Sequence, residues 1–441
     1  MVREPMYSWG RAVRSDCAFL PLQWRMADLP PLPDFADSYL PFGNGRSYGD
    51  SCLNTNGALL STRRLDRFIA FDPGSGILRC ESGVQLADIS RLMVPRGWFL
   101  PVTPGTRFVT VGGAIANDVH GKNHHSQGTF GCHVRSFMLR RSNGEMRHCS
   151  AHENPDWFSA TIGGLGLTGL ILWVEIQLRR IENPWIVTEA ERFAHLDDFF
   201  RLSDAGSGHE YTVAWLDCSG PGRRIGRGIF SRADHAPAGF HHDGAWHERN
   251  PAVISFTPPL SLVNTLSVRA FNSLYFHRAG KVPVTTTGHC ESYFYPLDHV
   301  LHWNRIYGPR GFYQYQCVVP DDGGGREAVA ELLRLIAGSG MASFLAVLKQ
   351  FGERTSPGML SFPQPGTTLA LDFPNRGGSL HRLFACLDSV VMSVRGRLYP
   401  AKDGRMPGAV FRAGFPQWQR FSPYIDPGFS SSFWRRVMED V

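Results

Sequence analysis

Residues 112–125 read GGAIANDVHGKNHH, and the rest of the chain is interpreted outward from them. The two leading glycines allow backbone amides to approach a ligand closely. His120, Lys122 and Asn123 follow within a few positions. A cation and an imidazole beside such a backbone suit an anionic or redox-active ligand. The pattern therefore predicts an anion-facing loop, and a solvated loop with the same histidines is the alternative.

The size and charge of the chain narrow the classes of protein to which it belongs. With 441 residues, 43% of them hydrophobic and 19% charged, it suits an ordinary globular protein of two domains. The formal net charge of +6 fits an anionic substrate or a membrane surface. The dense basic blocks typical of a nucleic-acid binder are missing, so we expect no nucleic-acid partner.

The spacing of the cysteines and the length of the apolar runs indicate where in the cell the protein is expected. The nine cysteines include no C-x-x-C pair, which indicates neither a disulfide framework nor a zinc ribbon. The first thirty residues hold Arg, Asp and Trp where a signal peptide needs an apolar run. The longest apolar run, residues 165–174, is too short to span a bilayer. We expect a cytoplasmic protein or one peripheral at the membrane, with no signal peptide or transmembrane segment.

The rhythm of the sequence changes at Asn183-Pro184. Short strands and turns fill residues 41–174, with helices predicted at 87–98 and 154–162 and a strand at 167–178. Longer strands separated by helices follow from 185 to about 395. The predicted strands are 185–193, 211–218, 313–320, 343–351 and 367–373, and the predicted helices are 296–308, 326–338 and 379–394. Residues 233–265 are predicted to form a long loop.

Two glycine-rich loops are predicted to hold phosphate. Residues 43–50, GNGRSYGD, can present consecutive amides to an anion, and Arg46 adds a charged partner. Residues 104–106 with 110–114 form a second loop rich in glycine and hydroxyl groups. Both follow predicted strands, and together they favour phosphate binding over plain turns more than either does alone.

A third glycine run, GLGLTG at residues 164–169, matches G-x-G-x-x-G in letters only. The dinucleotide fingerprint must follow a strand and open a helix. Here a predicted helix precedes the run and a predicted strand follows it, which argues against a Rossmann fold. Its glycines still allow the backbone to lie against a cofactor.

Other polar residues have two interpretations each. His120, His124 and His125 could be metal ligands. However, residues 119–125 contain no Asp or Glu to accompany them, and adjacent histidines do not easily bind the same ion, so no metal site is predicted. Lys402 alone reads as a solvated loop lysine. Gln314 and Gln316 alternate on one predicted strand and share a face, which is either an edge or a ligand-facing wall.

The order of these motifs resembles that of a known group of enzymes. GRSYGD (45–50), PGTRFVTVGGAI (104–115), DVHGKNHH (118–125), GGLGLTGL (163–170) and LYPAKD (398–403) occur in that order. This order resembles the FAD-binding oxidoreductases of the vanillyl-alcohol-oxidase superfamily. HGKNHH and YQYQ (313–316) are specific to the branch that oxidises a polyprenylphosphoryl ribose.

The resemblance implies a two-domain α+β fold of the vanillyl-alcohol-oxidase type. An FAD-binding domain would comprise residues 1–182 and 396–441. A substrate-binding domain with an antiparallel sheet, residues 183–395, would be inserted between its two parts. Some relatives attach FAD covalently through a histidine in the first loop, and Arg46 stands at the matching place here. We therefore expect non-covalent FAD.

The resemblance also implies residue roles. His120 and Lys402 would lie at the isoalloxazine ring, with Lys402 near N1, where a cation stabilises the anionic reduced flavin. His120 and Tyr48 are candidates for the base that takes the hydroxyl proton. Residues expected to bind the cofactor are Gly45, Arg46, Ser47, Tyr48, Gly49, Pro104, Gly105, Thr106, Thr110, Gly112, Gly113, Ala114, Asn117, His120, Gly121, Asn123, Gly166, Thr168, Gly169, Ile171, Tyr399 and Lys402. Residues expected to bind substrate are Lys122, Trp215, Phe294, Arg305, Gln314, Gln316, Lys349, Thr368 and Ala370.

The implied reaction oxidises the 2′-hydroxyl of a lipid-linked ribose phosphate to a ketone. A short-chain NAD(P)H-dependent keto-reductase would then complete the epimerisation to the arabinose donor. Ala370 and Thr368 depart from the pattern, because mycobacterial members carry a cysteine and an asparagine there. Two alternatives stay open: a flavin-dependent alditol or sugar-lactone oxidase acting on a free sugar, and a non-catalytic anion- or sugar-binding protein on a degenerate flavin fold.

Overall fold

The computed structural model describes residues 3–219, 225–242, 250–280 and 282–439, which form an α+β arrangement of sheets and surrounding helices. Its strands are β1 (Glu4–Tyr7), β2 (Arg14–Pro21), β3 (Tyr39–Phe42), β4 (Ala58–Ser61), β5 (Phe68–Asp72), β6 (Ile77–Glu81), β7 (Trp98–Phe99), β8 (Val134–Arg140), β9 (Met146–Ser150), β10 (Leu170–Gln177), β11 (Arg179–Arg180), β12 (Trp185–Phe193), β13 (Tyr211–Leu216), β14 (Gly228–His235), β15 (Ala252–Val253), β16 (Val284–His289), β17 (Val300–Leu301), β18 (Phe312–Val319), β19 (Ala346–Phe351), β20 (Gly366–Pro374) and β21 (Arg397–Leu398). Its α-helices are α1 (Leu86–Met93), α2 (Val111–Ala116), α3 (His124–Gln127), α4 (Pro155–Thr161), α5 (Leu196–Ala205), α6 (Thr265–Arg278), α7 (Cys290–Phe294), α8 (Gly325–Gly338), α9 (Gly378–Ser393), α10 (Gly408–Gly414), α11 (Trp418–Phe421) and α12 (Ser432–Met438).

Two small sheets carry the glycine loops. The first has the order β1-β2-β4-β3, and its central strand β4 is buried along its whole length. The loop of residues 43–50 leaves the end of β3. The second sheet is antiparallel with the order β5-β6-β10-β8-β9. Its central strand β10 follows helix α4 and the GLGLTG turn, which confirms that this motif does not open a helix.

The largest sheet in the described residues has eight strands in the order β16-β12-β14-β13-β19-β20-β18-β21, all antiparallel. This confirms the predicted antiparallel sheet. Alternate side chains of β18 and β20 point to opposite faces. On one face Tyr315, Cys317 and Leu369 join the apolar core that includes α8 and α9. The other face carries Gln314 and Gln316 and forms the wall of a cavity.

Several predicted elements differ from those observed. The helix expected over 296–308 is two 3-10 turns on either side of β17, because His302 adopts a left-handed φ of 57° and Pro296 opens the first turn. Strands β14 and β16 and helix α6 were not predicted. The expected loop 233–265 contains the end of β14, strand β15 and the start of α6, and its residues 243–249 lie outside the described residues.

The C-terminal segment contacts both parts of the molecule. β21 adds to the eight-stranded sheet beside β18. Helix α12 packs on the first small sheet's side, where the Arg436 guanidinium lies 2.7 Å from Asp50 Oδ1 and the Ser432 amide donates to the Leu53 carbonyl. The exact limits 1–182, 183–395 and 396–441 stay a prediction. In the described part of the chain, no helix combines the length and apolar character needed to cross a bilayer.

Candidate active site

A cavity of about 1020 Å³ lies between the two glycine loops and the polar face of the eight-stranded sheet. Its inner wall comprises residues 43–48, 103–110 and 112–113. Its opposite wall is made by side chains of β13, β18, β19 and β20, among them Trp215, Gln316, Lys349 and Ala370. Chain segments far apart in sequence therefore meet around one volume.

The first glycine loop is held open by backbone contacts. Gly45 has a φ of 58°, which glycine adopts at no steric cost, and a Cβ at Gly49 would overlap the carbonyl oxygen of Asp403. The Trp9 amide donates to the Ser47 carbonyl at 2.8 Å, and the Tyr48 amide to the Ala401 carbonyl at 2.9 Å. The amides of residues 44–47 line the cavity and donate to no acceptor in the described ranges. Such amides require an external acceptor.

The second loop presents a similar set of donors. Thr106 Oγ1 donates to Asp298 Oδ1 and the Arg107 amide to Asp298 Oδ2, both at 2.8 Å. These bonds tie residues 104–107 to the 3-10 turn Pro296–His299. The amides of Gly105 and Thr106 have no acceptor within the described residues, and a Cβ at Gly105 would meet open space. Thr110 caps α2, and its hydroxyl accepts from the Gly113 amide at 3.2 Å.

Arg46 adds a buried cation between these loops. Its guanidinium lies over the Trp9 ring at 4.1 Å and near the Phe108 ring at 5.2 Å. Its Nε is buried without a hydrogen-bond partner in the described part of the chain. Burial lowers the pKa of Arg46, although the charge of Asp298 opposes this shift. An arginine in the cavity lining and two sets of amides without an acceptor among the described residues fit the diphosphate of FAD.

His120 lines the cavity and contacts side chains of both β18 and β19. Its Nδ1 is 3.1 Å from Lys349 Nζ, and its Nε2 is 2.9 Å from Gln316 Nε2. Burial, with the charges of Lys349, His124 and Lys402, lowers the pKa of His120 well below its ordinary value, so the ring is neutral. A neutral imidazole has one N–H and one lone pair. It therefore accepts from one of these neighbours and donates to the other.

Three half-buried lysines, Lys122, Lys349 and Lys402, line the same cavity, and the charges of Lys349 and Lys402 act on His120. Burial lowers the pKa of Lys122 to about 7, and burial with the neighbouring lysines lowers that of Lys349 to about 7. The pKa of Lys402 falls to about 8, since the charge of Asp372 offsets part of the effect of burial. Lys122 Nζ donates to the Tyr293 carbonyl at 2.7 Å, and Lys402 Nζ lies 3.8 Å from the centre of the Tyr48 ring.

A single carboxylate acts on these lysines. Asp372 is fully buried, and Gln314 Nε2 donates to its Oδ1 at 2.5 Å. Its Oδ2 has no partner among the described residues. Burial raises the pKa of Asp372 to about 7. Three lysines and one acid leave the cavity with an excess of positive charge that an anionic ligand would balance.

The remaining residues of the central motif support the loop. Asp118, with a φ of 41°, accepts from the Gly131 amide at 2.8 Å and from the Ser356 and Ser361 hydroxyls at 2.5 Å each. His124 packs on the Phe351 ring at 4.2 Å, and burial lowers its pKa to about 3. His125 Nε2 lies 2.8 Å from the His209 carbonyl. Within the described ranges, no group of three or more His, Cys, Asp or Glu side chains is arranged so that it could bind a metal ion.

Most of the predicted site residues line the cavity. Those at its surface are Gly45, Arg46, Ser47, Tyr48, Pro104, Gly105, Thr106, Thr110, Gly112, Gly113, Asn117, His120, Gly121, Lys122, Gly166, Gly169, Ile171, Trp215, Phe294, Gln314, Gln316, Lys349, Thr368, Ala370, Tyr399 and Lys402.

Five predicted residues lie outside the lining. Gly49 packs against Asp403, and Ala114 is buried inside α2. Asn123 Nδ2 donates to the Pro101 carbonyl at 2.7 Å, and the Thr168 hydroxyl lies 2.9 Å from that of Thr161. Arg305 Nη1 donates to the carbonyls of residues 254 and 255, so it fixes the chain near β15 instead of facing the cavity.

The sequence interpretation missed residues that the fold brings to the cavity. Trp9, Asp298 and Trp303 line it beside Arg46 and the second loop. Tyr275 and Arg278 reach it from α6. The sequence did hold a signal for Trp9 and Trp303, because the segments SWGR (8–11) and HWNRIYGPRGFYQYQ (302–316) also resemble the same group of enzymes. No periodic pattern marked Tyr275 or Arg278.

The sequence of this chain is similar to those of known proteins. A family model described as an FAD binding domain matches residues 34–150. A decaprenylphosphoryl-β-D-ribose oxidase of Mycolicibacterium smegmatis is 37% identical over 413 residues, which cover 90% of this chain and 88% of that protein. The chain belongs to the family of this FAD-dependent oxidase. Members of the family are FAD-binding oxidoreductases of α+β fold, and this chain is one of them.

Two further relatives differ in how much they cover. An uncharacterised protein of Streptomyces coelicolor is 33% identical over 372 residues, covering 80% of this chain and the whole of that protein. A putative D-arabinono-1,4-lactone oxidase of Neurospora crassa is 28% identical over 129 residues, only 29% of this chain and 23% of that protein. This chain is therefore similar to the decaprenylphosphoryl-β-D-ribose oxidase over most of its length, and to the putative lactone oxidase over less than a third of it.

Proposed function

We propose that this protein oxidises the 2′-hydroxyl of a polyprenylphosphoryl-β-D-ribose to the 2′-keto sugar with non-covalently bound FAD. The observation that carries the proposal is the group of three half-buried lysines that line the same cavity as His120. In the described part of the chain, only one carboxylate, Asp372, acts on any of them. The activity for which the Mycolicibacterium smegmatis relative is named supports the same substrate class.

The residues at the inner wall would hold FAD. The free amides of residues 44–47 and 105–106, with Arg46, would bind its diphosphate. Tyr399, whose hydroxyl donates to the Asn117 carbonyl at 2.9 Å, would fix the loop against the ring system. Arg46 offers no nucleophile for a covalent bond to the cofactor. Bound FAD supplies the hydride acceptor that amino-acid side chains lack.

Lys122 and Lys349 would bind the phosphate of the substrate. Both line the cavity, as do Trp215 and Phe294. Lys122 Nζ is 3.8 Å from the centre of the Tyr293 ring, so its position is fixed before an anion arrives. Burial has already lowered the pKa of both lysines, and the singly charged phosphodiester of the substrate would favour their protonated forms.

Oxidation also releases the proton of the 2′-hydroxyl. We place its acceptor at His120, backed by Lys349, whose Nζ is 3.1 Å from Nδ1. The ring is neutral, so one of its nitrogens carries a lone pair that can take this proton, and the phosphate of the substrate would balance the resulting imidazolium. Tyr48 is the weaker candidate, since burial and Asp372 raise the pKa of its phenol.

Lys402 would stabilise negative charge that develops on the cofactor as the hydride leaves the sugar. It is buried, lines the cavity and stands on the Tyr48 ring. A fixed cation in a site without water acts strongly on developing charge. Thr368 and Ala370 would contact the sugar from β20, with a hydroxyl and a methyl group at the places of the asparagine and cysteine expected in mycobacterial members.

The alternative substrate is a free alditol or sugar lactone. Its support is the partial match to a putative lactone oxidase, which stops short of most of this chain. A free sugar carries no charge to balance Lys122 and Lys349, so we favour the phosphate. A keto-reductase partner that uses NAD(P)H would consume the keto sugar, because a ketone at this position must be reduced to complete an epimerisation.

The proposal is tested by anaerobic reduction of the flavin. The purified protein should be yellow and release its flavin on denaturation, as expected for non-covalent binding. A prenylphosphoryl ribose should bleach the flavin, whereas the dephosphorylated sugar, free alditols and sugar lactones should react far more slowly. If free alditols or lactones bleached the flavin as fast as prenylphosphoryl ribose, the proposed substrate would be wrong. A colourless protein without flavin would favour a non-catalytic binding protein.

A further inference from the structure

An apolar surface borders the outer end of the cavity. Most of the exposed large hydrophobic side chains among the described residues lie between residues 253 and 284, and we call them the rim patch. They are Val253, Phe256, Leu260, Leu262, Leu266, Phe271, Leu274, Val282 and Val284. Leu260, Leu266 and Leu274 are each exposed by more than three quarters, at 78%, 78% and 77%. Single exposed leucines are ordinary, but a concentration of them in one segment marks an interaction surface.

The rim patch stands on a fixed support. Helix α6 is held to the body by Val268 and Asn272, both buried. Asn272 Nδ2 donates to Asp217 Oδ1 at 3.0 Å and to the Ser343 carbonyl at 3.2 Å. Leu266 and Leu274 therefore project from an anchored helix. Their exposure does not come from a helix that has failed to pack.

The patch is continuous with the cavity. Phe271, Tyr275 and Arg278 lie on α6 and also line the cavity. Near β17, Val300 and Leu301 line it as well, and Leu301 accepts a hydrogen bond from the Ile254 amide at 3.0 Å. A hydrophobic chain bound in the outer cavity would thus pass directly onto the rim patch.

The charge of this segment points to one kind of partner. Residues 250–290 contain no aspartate or glutamate, whereas Arg269, Arg278 and Lys281 occur within them. Arg269 and Arg278 are exposed on α6. Leucine and phenylalanine beside arginine, without a carboxylate, suit the interface of a membrane that contains anionic lipids.

We propose that the rim patch docks on an anionic phospholipid bilayer, so that the cavity opens against the membrane surface. The inference deepens the proposed function, because a polyprenyl substrate would enter from the same bilayer. It rests on that function only for its biological purpose. Binding to vesicles requires no turnover and is measured separately.

The test is co-sedimentation of the full-length, FAD-loaded protein with vesicles. Vesicles of phosphatidylcholine mixed with phosphatidylglycerol should bind it, and pure phosphatidylcholine should bind it roughly tenfold more weakly. Added salt should weaken binding, since the charges are screened. Leu266→Glu with Leu274→Glu should abolish sedimentation. Met392→Glu, at an exposed hydrophobic residue of α9, is the matched control and should bind as the unchanged protein does.

Each outcome decides the proposal. Both variants should keep their flavin absorbance and their rate with a short, water-soluble substrate, because Leu266, Leu274 and Met392 lie outside the cavity lining. No binding by the unchanged protein, or equal loss in the Met392 variant, would overturn the membrane proposal. So would a dimer that the Leu266/Leu274 variant converts to a monomer without vesicle binding. Vesicle binding without oxidation of prenylphosphoryl ribose would instead overturn the proposed function alone.

Discussion

The cavity has a floor and a rim that are built differently. The floor consists of side chains on long paired strands: Gln316 on β18 faces Ala370 on β20, and Lys349 on β19 faces Thr368 on the same strand. The rim, residues 250–308, contains helix α6, the short pair β15–β17 and two 3-10 turns, together with the edge strand β16 and helix α7. Floor side chains are buried or half-buried, whereas many apolar rim side chains face water.

The difference separates two tasks. Chemistry at His120 needs atoms fixed within fractions of an ångström, and strands bonded on both sides provide that rigidity. Reception of a long apolar tail needs area and charge more than exact atomic positions. We therefore expect floor substitutions to change the reaction itself, and rim substitutions to change which substrates arrive. The following predictions test that division.

Replacement of Lys402 by alanine should have the largest effect. We expect kcat to fall by about 10² to 10³-fold, because a preorganised cation is lost where charge develops. Stopped-flow measurement of flavin reduction checks this, since the loss should fall on that step. Lys402→Arg, which keeps the charge, should retain more activity than the alanine variant. Near-normal reduction in Lys402→Ala would remove this residue from the chemistry.

His120→Ala should come next, with flavin reduction slowed by about 10²-fold through loss of the proton acceptor. Flavin content should stay near normal, because the diphosphate contacts are placed on residues 44–47, 105 and 106. Tyr48→Phe is the companion variant, and a larger loss there than in His120→Ala would move the base to Tyr48. Loss of FAD without a slower chemical step would show that His120 serves cofactor binding.

Much of the floor could be predicted from sequence, and the reason lies in its periodicity. Gln314 and Gln316 are two residues apart on β18, so the alternation of side chains along a strand was enough to predict that they share one face. The glycine loops were found because only certain residues suit an anion-binding turn. Asn123 and Thr168 lie outside the cavity lining, since a motif gives the neighbourhood of a residue but not the direction of its side chain.

The rim could not be predicted in the same way. Helix α6 exposes Leu266, Phe271 and Leu274, so it lacks the single apolar stripe by which a packed helix is recognised. The segment 296–308 has helical spacing, but His302 breaks it with a left-handed backbone that the letters do not signal. Asp298 meets Thr106 across 192 positions, a contact that only the tertiary fold creates.

Lys349→Met should raise KM for the phosphorylated substrate by roughly tenfold, through loss of a charge-assisted contact. The pKa of Lys349 is held at about 7 by burial and by Lys122 and Lys402. In the unchanged protein KM should therefore rise as pH increases above 7, because free lysine loses its proton before phosphate binds. The variant should show a flatter pH dependence of KM. An unchanged KM would remove Lys349 from phosphate binding.

Asp372→Asn should shift a pH profile more than it lowers the maximum rate. Burial lowers the pKa of Lys402, and the charge of Asp372 opposes this shift and so holds the value at about 8. Without that charge, Lys402 should lose its proton at lower pH, so the alkaline limb of kcat should move toward acid. We expect a loss of roughly fivefold at pH 8 and little change at pH 6. Gln314→Leu is the control that removes the hydrogen bond to Asp372 but keeps the charge.

The smallest effect is expected from Arg305, which belongs to the rim. Its guanidinium binds the carbonyls of residues 254 and 255 and so holds the segment around β15 to the turn Trp303–Tyr307. Arg305→Ala should leave flavin reduction by a short-chain substrate unchanged, because no floor contact involves it. KM for a long-chain substrate presented in vesicles should rise roughly threefold as the rim loosens. An equal loss with both substrates would place Arg305 at the sugar phosphate and break the division between floor and rim.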